Sequence, residues 1–157
     1  MNIFVVDPDP RIAARMLCDK HVNKMVTESV QLLSNALWFV GLQGPYKKTH
    51  WNHPPTVWVR ESLQNYQWLW DHADELGREF TRRYINWHVA HKKLTDLVPR
   101  DIALPNNGLT PFANVTPYKH LNTIDAYHEF YRNEKSKFAK WKLGNVPIWY
   151  NKMVQEV

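Results

Sequence analysis

Apolar residues recur at intervals of three and four along several stretches of the chain, which is the spacing of an α-helix with one buried face. One such stretch runs from about Arg11 to Phe39, a second from Thr56 to Tyr84, and a third from Thr123 to Trp141. A shorter helix is predicted around Trp87 to Leu97. The pattern predicts an all-α fold, a compact bundle of three to four helices.

The second of these helices has a polar face opposite its apolar stripe, with Asp71, Asp74 and Arg78 among its members. Two further polar residues, Ser62 and Asn65, fall on the apolar stripe itself. Because polar groups on a core face need hydrogen-bond partners, we expect these two to bond backbone groups of a neighbouring loop.

The segments between the helices have little periodicity. Ile3 to Val6 is a short apolar run that the sequence DPDP ends, which predicts an extended N-terminal segment and then a turn. Residues 99–121 contain four prolines and predict a long Pro-rich loop, either functional or mobile. Since there is no repeat, low-complexity tract or linker, we predict a single helical domain over residues 1–157.

Charge and aromatic content favour one class of partner. The formal net charge is +5, and the chain contains eight Trp, seven Tyr and six Phe. Cationic side chains attract phosphates, and flat rings stack on bases. The composition therefore favours contact with nucleic acid or nucleotides.

Other function classes are excluded by what the sequence does not contain. The single cysteine, Cys18, excludes an intrachain disulfide framework and a multi-cysteine zinc site, and it favours a reducing cytoplasm. No apolar run has the length of a membrane span, and residues 1–10 do not resemble a secretion signal. We expect no cofactor, no metal and no membrane partner.

The first predicted helix carries the best candidate for chemistry. His21, Lys24, Glu28, Gln31 and Asn35 follow one another at spacings of three and four, so they form one polar stripe. A histidine, a lysine and a carboxylate on one wall can supply an acid–base group, a cation and a negative charge. The alternative is an ordinary solvated face, with Lys24 and Glu28 as an i,i+4 ion pair.

A second candidate is the loop HWNHPP at residues 50–55. Its two histidines are three residues apart, but no other His or Cys cluster completes a metal site nearby. A proline-bounded loop that presents Asn52 and His53, with Arg60 just beyond, suits contact with a base or a phosphate. The alternative is a purely structural loop between two helices.

The C-terminal part of the chain interleaves positive charges with aromatic rings, which is typical of a nucleic-acid groove. A solvated helix face rich in lysine is the alternative. The residues concerned are Arg132, Lys135, Lys137, Lys140, Trp141, Lys142, Trp149, Tyr150 and Lys152.

Three of these features together resemble a known family. Asp19-Lys20-His21 is followed by Glu28 seven residues after the histidine, a long second helix follows, and residues 147–152 read PIWYNK. Over about half of its length the chain resembles the small phage pyrimidine-dimer DNA glycosylases, all-helical enzymes that excise a damaged base and nick the abasic site. The resemblance implies that His21 and Glu28 lie in an active site and that the Trp149–Tyr150 region lies against DNA. Segments such as CDKHVNKM and NHPPTVWVRES also resemble a group of phage proteins to which no function is assigned.

The chain departs from that family at the amino terminus. The family's nucleophile is the α-amine of an N-terminal threonine that methionine removal exposes. Here residue 2 is Asn2, whose size normally leaves Met1 in place, so the candidate nucleophile is the amine of Met1. The family also has arginines beside its catalytic glutamate, where this chain has Thr27 and Gln31.

These observations lead to a functional hypothesis. We predict a DNA glycosylase, with or without strand-cleaving lyase activity, that flips a damaged or modified pyrimidine out of duplex DNA. The alternatives are a phage base-modifying or nucleotide-processing enzyme on the same scaffold, and a non-catalytic protein that binds DNA or a host factor. The predicted catalytic residues are Met1, His21, Lys24 and Glu28. The predicted DNA-contacting residues are Lys20, Gln31, Asn52, His53, Arg60, Lys140, Trp149, Tyr150 and Lys152.

Overall fold

The computed structural model describes residues 1–151, and six α-helices provide most of the regular structure in that part of the chain. They are α1 (Pro10–Met16), α2 (Asp19–Phe39), α3 (Pro54–Glu61), α4 (Leu63–Tyr84), α5 (Val89–Leu97) and α6 (Thr123–Phe130). A π-helical turn at Tyr131–Lys135 continues α6, and a 3-10 turn spans Ile148–Asn151. Residues 1–151 contain no β-strand, so the all-α prediction is confirmed, but three to four helices was too low a count.

The two longest helices, α2 and α4, pack against each other at the centre of the fold. Helix α1 lies on α4, and α3 and α5 contact both central helices. The apolar positions predicted for the first helix are buried, among them Val22, Val26, Val30 and Leu33. Within residues 1–151, no helix combines the length and the apolarity that crossing a membrane requires.

The first predicted helix is interrupted between Met16 and Asp19, which corrects the prediction of one helix from Arg11 to Phe39. Leu17 and Cys18 have extended backbone, and the buried guanidinium of Arg83 donates hydrogen bonds to the carbonyls of Arg15 (2.9 Å) and Leu17 (2.7 Å). Carbonyls at the end of a helix have no partner within it. A side chain of α4 thus satisfies the end of α1 and fixes the break.

The second predicted helix is also interrupted, at Ser62. This residue has extended backbone, and its hydroxyl accepts a hydrogen bond from the amide of Asn65 (3.1 Å), so it caps α4. The amide of Leu63 donates instead to the carbonyl of Pro105 (2.8 Å). The helix predicted from Thr56 to Tyr84 is therefore two helices, α3 and α4.

The Pro-rich loop at residues 99–121 is bound to α4 by side-chain hydrogen bonds. The amide oxygen of Asn65 accepts from the Thr110 amide (2.9 Å), and its nitrogen donates to the Thr110 hydroxyl (2.7 Å). Tyr66 donates to the carbonyl of Pro99 (2.5 Å). The expected loop contact of Asn65 is confirmed, whereas Ser62 acts as a helix cap.

The last predicted helix is shorter than expected, because regular helix ends at Lys135 and not at Trp141. Beyond it the chain turns back over the N-terminal region. The indole of Trp141 is buried and donates to the carbonyl of Met16 (3.0 Å), and the carbonyl of Lys140 accepts from the amide of Asp19 (2.8 Å). Both ends of the described chain therefore meet beside the start of α2.

Candidate active site

One face of α2 opens onto a cavity of about 310 Å³. Four segments of the chain contribute to its wall: the N-terminal residues, α2, the loop before α3, and the region after residue 113. The lining residues are Met1, Asn2, Phe4, His21, Lys24, Met25, Glu28, His53, Val115 and Lys135. All four residues predicted to be catalytic are among them.

The α2 side of the cavity follows from helical spacing. His21, Lys24 and Glu28 lie on one face because they are three and four residues apart. The Lys24 ammonium is 3.6 Å from a carboxylate oxygen of Glu28, and the lysine side chain is 65% exposed. Further along the same stripe, Asn35 is buried and its side chain bonds the backbone of Thr49, so it anchors a loop.

Two side chains hold the N-terminal segment in place. The His53 ring nitrogen Nε2 donates a hydrogen bond to the Met1 carbonyl (2.7 Å). The Asn2 side-chain oxygen accepts from the hydroxyl of Tyr127 (2.6 Å) and from the amide of Ile3 (2.8 Å). Residue 1 is thereby fixed at the mouth of the cavity, and Asn2 is an anchor that sequence reasoning did not identify.

His21 is buried in an aromatic and cationic environment. Its ring stacks on Phe4 at 4.3 Å, and its exposed fraction is 4%. Burial lowers the pKa of His21 to about 3, and the positive charges of Lys135, Lys24 and Lys20 act in the same direction. At neutral pH this imidazole is therefore uncharged and acts as a hydrogen-bonding group, not as a cation.

Tyr131 determines how the His21 ring is oriented. The Tyr131 hydroxyl is 2.6 Å from His21 Nδ1, and it accepts a hydrogen bond from the amide of Cys18 (3.1 Å). Burial raises the pKa of Tyr131 well above its usual value, so the hydroxyl keeps its proton, and it also lies 3.4 Å from the Cys18 sulfur as a donor. The Tyr131 hydroxyl thus positions the His21 ring through Nδ1 and leaves Nε2 as its other hydrogen-bonding atom.

Lys135 is a cavity cation that spacing along α2 does not reveal. It ends the π-helical turn, is half-buried, and lies 4.6 Å above the Phe130 ring. Burial lowers the pKa of Lys135, and repulsion from Lys24 and Lys137 adds to this effect. Because Glu28 is the single carboxylate among the lining residues, while Lys24 and Lys135 are cationic groups, the cavity suits an anionic ligand.

The cations predicted to contact DNA lie outside the cavity. Lys20 is exposed on α2, with its ammonium 4.6 Å above the Phe138 ring, and Lys140 is also exposed. The Arg60 guanidinium lies over the rings of Phe39 and Trp51 at 5.1 and 4.9 Å. Asn52 is exposed beside that cluster, and Gln31 is half-buried on α2.

The C-terminal aromatic residues contact protein groups. The Trp149 ring stacks on His128 at 4.2 Å, and its indole nitrogen donates to the sulfur of Met16 (3.4 Å). Tyr150 packs edge-on against Trp141 at 4.7 Å. The predicted contact residue Lys152 lies outside the described residues. One face of Trp149 is therefore already occupied by a protein ring.

Residues 1–93 match the family model described as pyrimidine dimer DNA glycosylase. The chain belongs to this family. The matched span contains three of the four segments that line the cavity, and it confirms the resemblance inferred from the α2 residues. No curated protein and no solved structure matches the chain.

The cavity of this glycosylase family member extends beyond the matched span, since Val115 and Lys135 belong to the remainder of the chain. Within residues 1–151, no group of three or more His, Cys, Asp or Glu side chains is arranged to hold a metal ion.

Proposed function

We propose that this protein is a DNA glycosylase that excises a damaged or modified pyrimidine. The observation that carries the proposal is the cavity itself, in which Met1, His21, Lys24 and Glu28 meet in a member of the pyrimidine dimer DNA glycosylase family. Its volume of about 310 Å³ is within the range of small-ligand sites. An enzyme that attacks C1′ of a nucleotide needs such a pocket for a base or sugar removed from the stack, at a cost of a few kcal/mol.

Substrate binding in this proposal is electrostatic. Lys24 and Lys135 face the phosphates that flank the flipped nucleotide, and the exposed Lys20 extends the positive surface along α2. The uncharged His21 contributes a hydrogen bond through Nε2 to the sugar or to the departing base, because Nδ1 already contacts the Tyr131 hydroxyl.

The bond-breaking step uses the amine of Met1. Its nitrogen forms a bond to C1′ while the bond from C1′ to the base breaks, and the electron pair leaves with the base, which takes up a proton. The Glu28 carboxylate stabilises the positive charge that develops on the sugar, and it accepts a proton from the attacking amine. The bond from C1′ to O4′ then breaks, O4′ takes up the proton from Glu28, and the opened sugar is left as an imine between residue 1 and C1′.

Strand cleavage follows from the same imine. Removal of a proton from C2′ drives loss of the 3′ phosphate, so the bond from C3′ to oxygen breaks and the electrons form a C2′–C3′ double bond. Hydrolysis of the imine releases the amine. If water replaces the amine as nucleophile, the base still leaves, but no imine forms and the strand remains intact.

The test is a trapping experiment on duplex oligonucleotides that carry a pyrimidine dimer, a uracil or an abasic site. Borohydride reduces the imine to a stable adduct, and we expect peptide mass mapping to locate that adduct on residue 1. An N-terminal extension of two residues should abolish the adduct while the circular dichroism spectrum is unchanged. Lys135→Gln is the matched control: it removes one of the two lysine amines of the cavity and should retain the adduct on residue 1.

Each other outcome has a defined meaning. An adduct on Lys24 or Lys135 would show that a lysine, not residue 1, is the nucleophile. Base release without any adduct would show that water is the nucleophile. Absence of base release from every substrate would overturn the glycosylase proposal.

A further inference from the structure

The turn between α4 and α5 projects apolar side chains into solvent. Ile85 is 90% exposed, Val89 is 68% exposed and Trp87 is 57% exposed, all within five residues. Single exposed apolar residues are common on protein surfaces, but a cluster of large ones marks a surface that contacts another molecule.

The backbone at the tip of this turn is strained. Ile85 has φ 51° and ψ 49°, the left-handed conformation that glycine normally provides at the end of a helix. Its amide still donates to the carbonyl of Thr81 (2.9 Å) and so closes α4. A β-branched side chain is disfavoured in this conformation, and at 90% exposure it gains no burial to offset the strain. Strain of this kind is typical of residues that act on a ligand.

Two hydrogen bonds fix the turn against the first half of α2. His88 Nε2 donates to the carbonyl of Asn23 (3.0 Å), and the Tyr84 hydroxyl donates to the carbonyl of Asp19 (3.1 Å). A hollow of about 230 Å³ separates Asn23 from Trp87 and Val89. The apolar turn therefore lies against the same part of α2 that carries the cavity residues.

The apolar turn and the cavity lie on different sides of α2. Asn23 faces the turn and its neighbour Lys24 faces the cavity, so the two features lie on different sides of one helical turn. A helix with its side chains is about 10–12 Å wide, which corresponds to about three base pairs at 3.4 Å each. One duplex lying across α2 can contact both.

Positive charges surround the apolar cluster. The ammonium of Lys92 is 5.2 Å from the centre of the Trp87 ring, and that of Lys142 is 4.6 Å from the Tyr84 ring. Lys20 is exposed on the adjoining part of α2. Apolar side chains within a ring of cations match a duplex, whose phosphates lie outside and whose stacked bases lie inside.

We propose that Ile85, Trp87 and Val89 form a wedge that enters the DNA duplex within about three base pairs of the flipped nucleotide. The inference rests on the proposed function, namely that DNA lies across α2 and that a nucleotide is flipped into the cavity. Ile85, the most exposed of the three, inserts between adjacent base pairs near that nucleotide and unstacks them. The wedge thus offsets part of the free energy of flipping.

The decisive variant is Ile85→Gly, which deletes the side chain and suits the left-handed backbone. We expect its thermal midpoint to be equal to or above that of the wild type. Its affinity for a duplex should fall about ten-fold, in line with the contribution of a base-stacking contact. The wild type should increase the fluorescence of an adenine analogue that brightens on unstacking, and the variant should lose most of that increase.

A matched pair of substitutions tests whether the effect on DNA binding depends on where the exposed apolar side chain lies. Trp87 and Leu97 are both 57% exposed and lie near opposite ends of α5. Trp87→Ala should reduce both affinity and unstacking, whereas Leu97→Ala should change neither. Neither variant should alter affinity for a single-stranded oligonucleotide, in which no base pair needs to be separated.

Three results would overturn the wedge. Ile85→Gly could bind and unstack the duplex as the wild type does. The variant could instead be less stable, which would make the side chain structural. It could also change only self-association of the protein in sedimentation, which would make the cluster an interface between copies.

These measurements do not depend on turnover. If no substrate loses its base but Ile85→Gly still abolishes unstacking, the wedge stands and the glycosylase proposal fails. If bases are released normally and unstacking is unaffected, the wedge alone fails.

Discussion

Helices α2 and α4 carry similar polar stripes and use them in opposite ways. On α2, the carboxylate of Glu28 faces a cavity, and its cationic partner Lys24 is 3.6 Å away and largely exposed. On α4, the carboxylates of Asp74, Glu75 and Glu79 are buried and lie within 2.5–3.3 Å of arginines. Spacing along a helix therefore identifies a polar face but not what covers it.

Arginine side chains of α1 cover the buried carboxylates of α4. Arg11 bonds both Asp74 and Glu75, and Arg15 bonds Glu75. Burial by itself raises the pKa of Asp74, but hydrogen bonds from His91, Arg11 and Arg78 outweigh it and hold that pKa below its usual value. Of the residues that sequence reasoning placed opposite the apolar stripe of α4, Asp74 is thus a buried member of an ion-pair network, whereas its partner Arg78 is 61% exposed.

The largest effect should come from breaking this network. Arg83→Met removes a fully buried guanidinium that bonds Glu79 at 2.8 Å and Asp19 at 3.1 Å. Both carboxylates then lose this cationic partner. We expect the free energy of unfolding to fall by about 3–5 kcal/mol, measured by denaturant titration. In Arg100→Met, which removes a half-exposed partner of Asp71, the loss should stay below about 1 kcal/mol. Equal losses in the two variants would contradict the distinction between buried and exposed pairs.

Glu28→Gln tests the polar stripe of α2, which faces the cavity. Glutamine keeps the size of the side chain but can neither stabilise a positive sugar nor take a proton, so turnover should fall about 100-fold, or 2.7 kcal/mol in the barrier. Stability should change by only a few tenths of a kcal/mol, because Lys24, the partner of Glu28 in an i,i+4 pair, is 65% exposed. DNA affinity should hold or rise slightly, since a negative charge is removed.

Glu79→Gln is the matched substitution on α4. It should cost roughly 3 kcal/mol of stability, because it weakens the buried pair with Arg83, and it should leave turnover of the folded protein unchanged. Unchanged turnover in folded Glu28→Gln would instead make the α2 stripe an ordinary polar face, as a non-catalytic DNA-binding protein would have.

A pH dependence is shared by both helices. Burial lowers the pKa of His21 to about 3 and that of His72, on α4, to about 4. Below pH 6.5 the unfolded chain therefore binds protons that the folded protein does not, and stability should fall as pH decreases from 6.5 to about 4. Each histidine should contribute about 1.4 kcal/mol per pH unit.

The measurement is denaturant unfolding at a series of pH values. His72→Gln should reduce the slope of stability against pH, whereas His120→Gln, which replaces an exposed histidine, should leave it unchanged. A slope that His72→Gln does not alter would mean that this ring is protonated in the folded protein.

Periodicity predicted where the helices run but not where they break. The break before α2 depends on Arg83 and Tyr131, and the one before α4 depends partly on a bond from Leu63 to Pro105. Such contacts join residues more than 40 positions apart, whereas a pattern read along the chain reports only neighbours. The helices themselves are local, so their positions could be predicted.

In the candidate site, too, some residues could be predicted from the sequence and others could not. Spacing along α2 placed His21, Lys24 and Glu28 on one face, and the family resemblance pointed to residue 1. Lys135 could not be assigned to the cavity, because its place depends on a π-helical turn and on the path of the chain after the long loop. Composition likewise does not show that the His128 ring covers one face of Trp149, so that this face is not open to a base.

The hydrogen bond between Asn2 and Tyr127 also has a consequence for biosynthesis. It joins residues 125 positions apart, and the bond from Cys18 to Tyr131 spans 113 positions. A ribosome makes residues 1–39 long before it makes Val115, Tyr127 and Lys135, so the nascent chain holds α2 with one wall of the cavity missing. Closing so long a loop is entropically costly and slow. The amino terminus is the first part of the polypeptide to be synthesised, and its surroundings are among the last to be completed.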